Sequence, residues 1–239
     1  MAEANVVEPV VVCWSGGKDS AMALGAVLGD PALRVASLLT VITADYDRVS
    51  LHGVRRSLLD RQAEALGLPL EVVSLAAGAS EAEYEEAMRR LLERYKGQGV
   101  SRCVFGDLFL REVRERRERN LAKVGMSGLF PLWGRDSGDL AREFIARGFR
   151  AILVNVEARR LDASFCGREF DGALLRDLAP DVDPCGENGE FHTFVYDGPA
   201  FRRPVAVVRG TVVQRGGFWY CDLVPAGETG EVLCRAGGS

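Results

Sequence analysis

The sequence predicts an α/β fold, a parallel sheet with flanking helices followed by a smaller C-terminal α+β domain. Three observations carry that expectation. Short runs rich in Val, Ile and Leu occupy residues 10–14, 35–42, 70–75 and 100–105, the composition of strands buried on both faces. Helical patterns separate them, giving an alternation that favours parallel pairing. A glycine turn closes the first run and leads directly into a helix.

The first helix is expected from about residue 19 to 28, where Gly29 stops it. The second runs from about 54 to 66, with Gly67 and Pro69 as stop signals. Ser80 and Glu83 have the spacing of a capping box. Behind them Tyr84, Ala87, Met88, Leu91, Leu92 and Tyr95 keep one helical face apolar. Residues 111–123 are so charged that composition alone suggests a solvated helix laced with i,i+4 ion pairs.

Leu129-Phe130-Pro131-Leu132-Trp133 ends the first domain, which is expected to span residues 1–133. The second, 134–239, opens with a helix at about 137–147 and a strand at 151–156. After Arg160, Gly, Pro and Asp punctuate short β-like runs. Residues 205–213 and 218–224 flank Gln214-Arg215-Gly216-Gly217 and predict a hairpin.

The composition excludes several classes. At 239 residues, 47% hydrophobic and 27% charged, the chain can bury a sizeable core. No apolar run approaches the roughly 20 residues of a membrane span, and no signal-peptide pattern precedes Pro9, so a cytoplasmic protein is expected. A net charge of −4 argues against a nucleic-acid surface. The six cysteines, at 13, 103, 166, 185, 221 and 234, contain no C-x-x-C, which argues against structural zinc and offers no evident cysteine pair.

Ser15-Gly16-Gly17-Lys18-Asp19-Ser20 is the most informative stretch. A strand that ends in a glycine turn and opens a helix points free N–H groups and the positive end of the helix dipole at one place. Lys18 adds a full charge, and Ser15 and Ser20 add hydroxyls. The pattern suits a polyphosphate. It is neither a Walker A loop nor a G-x-G-x-x-G turn, and it resembles the PP-loop of the ATP pyrophosphatase superfamily, which cleaves ATP between the α and β phosphates.

The second dense polar cluster is Cys185-Gly186-Glu187-Asn188-Gly189-Glu190-Phe191-His192-Thr193. On chemistry alone it is either a solvated connection or part of a site. In a site, Glu187 and Glu190 suit an ammonium or magnesium ion, or take protons from an attacking amine, and Asn188 suits an amide or carboxylate.

The loop motif, Phe105-Gly106-Asp107, Arg114-x-Arg116-x-Glu118, Pro131-Leu132-Trp133, Gly167-Arg168 and the Gly186–Thr193 cluster together resemble the diphthine–ammonia ligase family, in order, from about residue 8 to 204. The resemblance implies a fold of the HUP, PP-loop ATP pyrophosphatase type. It implies an enzyme that adenylylates a carboxylate and lets ammonia displace AMP. Ser15, Gly16, Gly17, Lys18, Asp19, Ser20, Gly106 and Asp107 would then bind ATP, with adenine against the backbone around Thr40. Asp19 and Asp107 become candidate magnesium ligands. Lys18, Glu187, Asn188 and Glu190 become candidate catalytic residues, and His52, Arg114, Arg116, Glu118, His192 and Thr193 candidate acceptor contacts. A lone histidine in a loop also has an ordinary structural reading, and His52 is open to it.

The chain departs from family members that act on elongation factor two. Leu110-Arg111-Glu112-Val113 stands where they carry a Ser-Asp-Tyr-Gln-like segment, and Asn188 and His192 replace glycine and glutamate. It resembles bacterial members more closely. The expected partners are therefore ATP, ammonium and a carboxylate acceptor whose identity does not carry over, with a homodimer left open. Another adenylylating enzyme, such as one that modifies transfer RNA, and a sensor that binds ATP or AMP without turnover are the alternatives.

Overall fold

The computed structural model describes residues 7–50 and 52–227. The chain runs β1 (Glu8–Cys13), α1 (Lys18–Leu28), β2 (Leu33–Thr43), β3 (Arg48–Val49), α2 (Arg56–Leu66), β4 (Leu70–Leu75), α3 (Glu81–Gly97), β5 (Arg102–Val104), α4 (Arg111–Lys123) and β6 (Ser127–Leu129). It continues with α5 (Ser137–Ala146), β7 (Arg150–Glu157), α6 (Gly172–Asp177), β8 (Phe191–Asp197), β9 (Val207–Arg215) and β10 (Phe218–Pro225).

The first six strands form one sheet. β1 lies between β2 and β5, β4 pairs along the far side of β2, and β6 closes the other edge, all in parallel; only the two-residue β3 runs antiparallel. The chain moves outward from β1 through β2 to β4, then crosses back to β5 and β6. That reversal leaves a crevice at the carboxyl ends of β1 and β5, the position where open α/β sheets bind ligands. β7 to β10 form a second, antiparallel sheet in the order β8-β7-β10-β9.

Strand alternation divides the core. Val10 and Val12 of β1 point into a cluster that takes in α1, α2 and the buried face of the second sheet, including Ile152, Phe194 and Leu223. Val11 points the other way, onto Leu91, Leu92 and Tyr95 of α3 and Leu121 of α4. The two sheets thus share one apolar core.

Most predicted elements recur with shifted ends. The capping box is present: Glu83 donates its backbone N–H to Ser80 Oγ, and Ser80 donates its own to Glu83 Oε2 at 2.8 Å. The hairpin turns on Gly216 and Gly217, with φ of +55° and +86°, which a two-residue turn of this hand requires. On α4, Leu121 is the sole buried side chain and Arg114–Glu118 is an i,i+4 pair, as composition suggested. Besides the two-residue β3, two strands depart from expectation. β6 is three residues of unremarkable sequence held by β5, and β8 begins inside the polar cluster at Phe191. Cys13 and Cys103, which the sequence did not mark as a pair, are neighbours; the Cys13 thiol and burial raise the Cys103 pKa far above the ordinary range. Cys234 lies outside the described residues.

Candidate nucleotide and acceptor site

The loop after β1 takes its shape from three directions. Trp14 donates its backbone N–H to Leu39 of β2 at 2.7 Å. The Gly16 carbonyl accepts from Val195 N of β8 at 2.8 Å and from Gln62 Nε2 of α2 at 3.0 Å. Gly16 has a φ of +79°, and a Cβ there would stand 2.8 Å from Gln62 Oε1, so glycine is required twice over. Gln62 is fully buried; it also accepts from Trp14 Nε1 at 2.9 Å and donates to Val195 O at 2.5 Å. All three of these bonds are made inside the core, where an amide left unpaired would be costly.

The next peptide is held from β8 as well. Lys18 N donates to Thr193 Oγ1 at 3.0 Å, and a Cβ on Gly17 would sit 3.1 Å from the Thr193 carbonyl. Ser20 Oγ donates to Gly17 O at 2.9 Å and lies 3.3 Å from Ser15 Oγ. The Lys18 side chain is only 3% exposed, with its ammonium 2.8 Å from Asp19 Oδ2 and within 6 Å of the Phe170 and Phe191 ring centres. Burial pulls its pKa down, but Asp19, with Cys185 and Glu187, outweighs burial and holds it above the usual lysine value. Asp19 is pushed up by burial, and its Oδ1 is shielded with no hydrogen-bond partner among the described residues.

β5 delivers the second wall. Gly106 abuts the start of α1 so closely that a Cβ would stand 2.7 Å from the Asp19 carbonyl carbon. Asp107 pairs with Arg117, at 2.7 Å to Nε, and the Arg117 guanidinium lies over the Phe105 ring at 4.5 Å. The motif resemblance pointed to Arg116, which is exposed and only 4.0 Å from Glu81 on the outer side of α4. Arg117 was missed, although Arg114, Arg117 and Leu121 have the i, i+3, i+7 spacing of one helical face. Arg114 stacks between Phe130 and Trp133, 4.7 and 4.6 Å from their ring centres, and bonds Glu118.

The 183–193 segment is a knot rather than a solvated loop. Asp183 accepts from the backbone N–H groups of Cys185 and Glu187. Glu190, 3% exposed, accepts from Asp183 N and Asn188 Nδ2, both at 3.0 Å. Glu190 and the exposed Asn188 therefore tie the knot together. Glu187 alone of the three expected polar groups reaches across, accepting from Leu108 N at 2.8 Å. Burial raises its pKa to about 7; the Leu108 N–H opposes this, and Asp19 and Asp107 add to it. His52 and His192 stack with ring centres 4.3 Å apart and planes 23° apart. Burial and the nearby Lys18 charge lower His192 to about 4, and burial, His192 and Lys18 take His52 well below its ordinary value.

Thr40 is buried on β2, one residue beyond the Leu39–Cys13 pairing, and its Oγ1 has no partner among the described residues. Ser15 to Ser20, Gly106, Asp107, Glu187, His52, His192 and Thr193 thus converge around the first turn of α1. Arg116 and Asn188 do not join them. Gln62 and Arg117 do, and only Arg117 left a trace in the sequence.

A family model described as the diphthamide synthase N-terminal domain matches residues 8–128, and one described as the diphthamide synthase C-terminal domain matches 136–228. The diphthine–ammonia ligase of Homo sapiens is 28% identical over 228 residues, covering 85% of this chain and 84% of that protein. That of Danio rerio is 30% identical over 224 residues, covering 83% and 86%. The Schizosaccharomyces pombe protein of the same name is 26% identical over 227 residues, 87% of this chain but 38% of its own length. With both halves of the chain matched around a shared loop-and-knot site, the protein belongs to the diphthamide synthase family.

Proposed function

We propose that this protein is an ATP-dependent carbon–nitrogen ligase that adenylylates a carboxylate and amidates it with ammonia. Membership of a family whose relatives are named for ligating ammonia supports the reaction class. The observation that carries the reading is geometric: Thr193 Oγ1 holds Lys18 N at 3.0 Å and Glu187 accepts from Leu108 N at 2.8 Å, which sets the polar 183–193 segment against the loop that opens α1.

An acceptor carboxylate oxygen attacks the α phosphorus, the bond to the bridging oxygen breaks, and pyrophosphate leaves. The α1 N-terminus and Lys18 stabilise the charge on that leaving group. Glu187 then takes a proton from ammonium, the freed ammonia attacks the acyl carbon, and AMP departs. A base with a pKa near the working pH is the efficient choice for that transfer. Glu190 and Asn188 act by holding the knot that aims Glu187.

Magnesium fits as an ion that arrives with ATP. Among the described residues no group of three or more His, Cys, Asp or Glu side chains forms a ready-made metal cage, and magnesium commonly uses one or two carboxylates plus phosphates. The unpartnered Oδ1 of Asp19 is the donor it would use, whereas Asp107 is engaged by Arg117. When bound it neutralises phosphate charge. Among the described residues no helix is long and apolar enough to cross a membrane.

The test is ATP labelled at the α phosphate, with magnesium, ammonium and a nucleotide-stripped cell extract. Labelled AMP that requires both ammonium and extract is expected. Labelled ADP, or tight binding without product, would replace the reading with other phosphoryl chemistry or a sensor.

A further inference from the structure

Lys18 opens α1, yet its side chain is covered from the second sheet. It is 3% exposed, whereas Lys96 and Lys123 are exposed. An ammonium carries three N–H donors, and this one makes a single hydrogen bond among the described residues, to Asp19 Oδ2 at 2.8 Å. Asp19 is the next residue on the same turn, so it moves with Lys18 and cannot fix where the charge sits in the molecule. From outside α1 two ring faces reach the ammonium, which lies over Phe170 at 5.9 Å and over Phe191 at 5.6 Å from the ring centres.

Both rings are held firmly. Phe170, 3% exposed, meets Phe144 edge-on with centres 5.4 Å apart and planes at 89°, and Phe144 in turn stacks on Phe149 at 4.9 Å. Phe170 N donates to Ala151 O at 2.8 Å, which ties it to β7. Phe191, 1% exposed, opens β8 opposite Val156. Gly186 makes room for its ring: φ is +67°, and a Cβ there would stand 3.0 Å from the ring Cγ and Cδ1. The face of such a ring attracts a cation, and more strongly where water is excluded. The attraction is to the charge and not to any one N–H group.

We propose that Phe170 and Phe191 are positioning residues for Lys18: their faces take the place of water around its ammonium and hold the charge, dry and fixed, beside the glycine loop. The step that feels the charge is taken from the ligase reading, and to that extent the proposal rests on it. An ammonium buried on one hydrogen bond is costly. Without the rings it would turn out to solvent, where its field on the departing pyrophosphate is screened. Held in place, it needs no rearrangement as that charge develops.

3,4,5-Trifluorophenylalanine keeps the shape of phenylalanine and withdraws electron density from the ring face. Placed at Phe170 or Phe191, in the unaltered chain and in Lys18→Met, it completes a double-mutant cycle read by urea unfolding. Fluorination is expected to lower the folding constant about tenfold more with Lys18 present than in Lys18→Met. A ring that only fills space costs the same in both backgrounds, and equal costs would overturn the proposal. With one, two and then three fluorines, pyrophosphate–ATP exchange in the presence of magnesium and extract is expected to fall in even logarithmic steps to about a tenth, while melting curves report that the fold is kept. Coupling in the cycle with exchange indifferent to fluorine would also overturn it, since the charge would be held without being used. No exchange in the unaltered protein marks failure of the ligase reading instead, and the unfolding cycle alone then decides whether the rings hold Lys18.

Discussion

The hydroxyl of Thr193 accepts the backbone N–H of Lys18 at 3.0 Å, joining residues 175 positions apart. β8 therefore shapes the glycine loop after β1 as directly as β1 does. Thr193→Val keeps the shape and leaves a buried N–H unpaired, which costs about 1–3 kcal/mol. A lower melting temperature and weaker nucleotide binding are expected together, by calorimetry and titration.

Gln62 closes the same junction from α2 with three bonds. Gln62→Leu retains the bulk and strands Trp14 Nε1 and one lone pair each on Gly16 and Val195. A loss on the order of 2–4 kcal/mol in urea unfolding is expected.

Gly106→Ala sets a methyl group 2.7 Å from the Asp19 backbone, which cannot rotate away as a side chain would. Either β5 or the first turn of α1 must shift. We expect a loss of about 2–3 kcal/mol in stability and at least about tenfold in ATP affinity.

Arg117 and Arg116 differ by one position and should differ sharply in effect. Arg117→Ala leaves Asp107, 13% exposed, without its partner and should weaken nucleotide binding. Arg116 is 59% exposed, so Arg116→Ala should change stability by no more than about 0.5 kcal/mol. Thermal melts and ATP titrations of the two variants check both statements.

Glu187 links activity to pH. Its pKa is about 7 in the folded chain against an ordinary 4.5, so the unfolded chain releases the proton first. Its contribution to stability therefore falls as pH rises from 4.5 to about 7 and is level above that. Glu187→Gln should stabilise the protein at pH 8 by on the order of 1–2 kcal/mol after solvent screening. Amide formation should fall roughly 10²–10⁴-fold, and in the unaltered enzyme it should rise with pH through about 7. Melts at two pH values and a pH–rate profile measure these effects.

The parallel sheet was legible because its strands are buried on both faces and read as short apolar runs, and the capping box because its two partners lie three residues apart. β6 was not legible, since Ser127-Gly128-Leu129 becomes a strand only through pairing with β5. β8 was hidden because its first residues complete a polar motif. Within the site, the glycines and Lys18 announced themselves by local chemistry. Gln62 did not: nothing in the sequence marks it among the apolar residues of α2, and its importance arises from contacts 46 and 133 positions away. The same holds for the Lys18 ammonium, whose burial depends on Phe170 and Phe191.

The most direct measurement of the central claim is isotope exchange between labelled pyrophosphate and ATP, with magnesium and nucleotide-stripped extract but no ammonium. An enzyme that adenylylates a carboxylate before ammonia attacks will incorporate label into ATP only when extract is present, and Lys18→Ala will abolish it. Label entering ATP without extract, or AMP formed with ammonium while no exchange occurs, would contradict the acyl-adenylate and the roles assigned to Lys18 and Glu187.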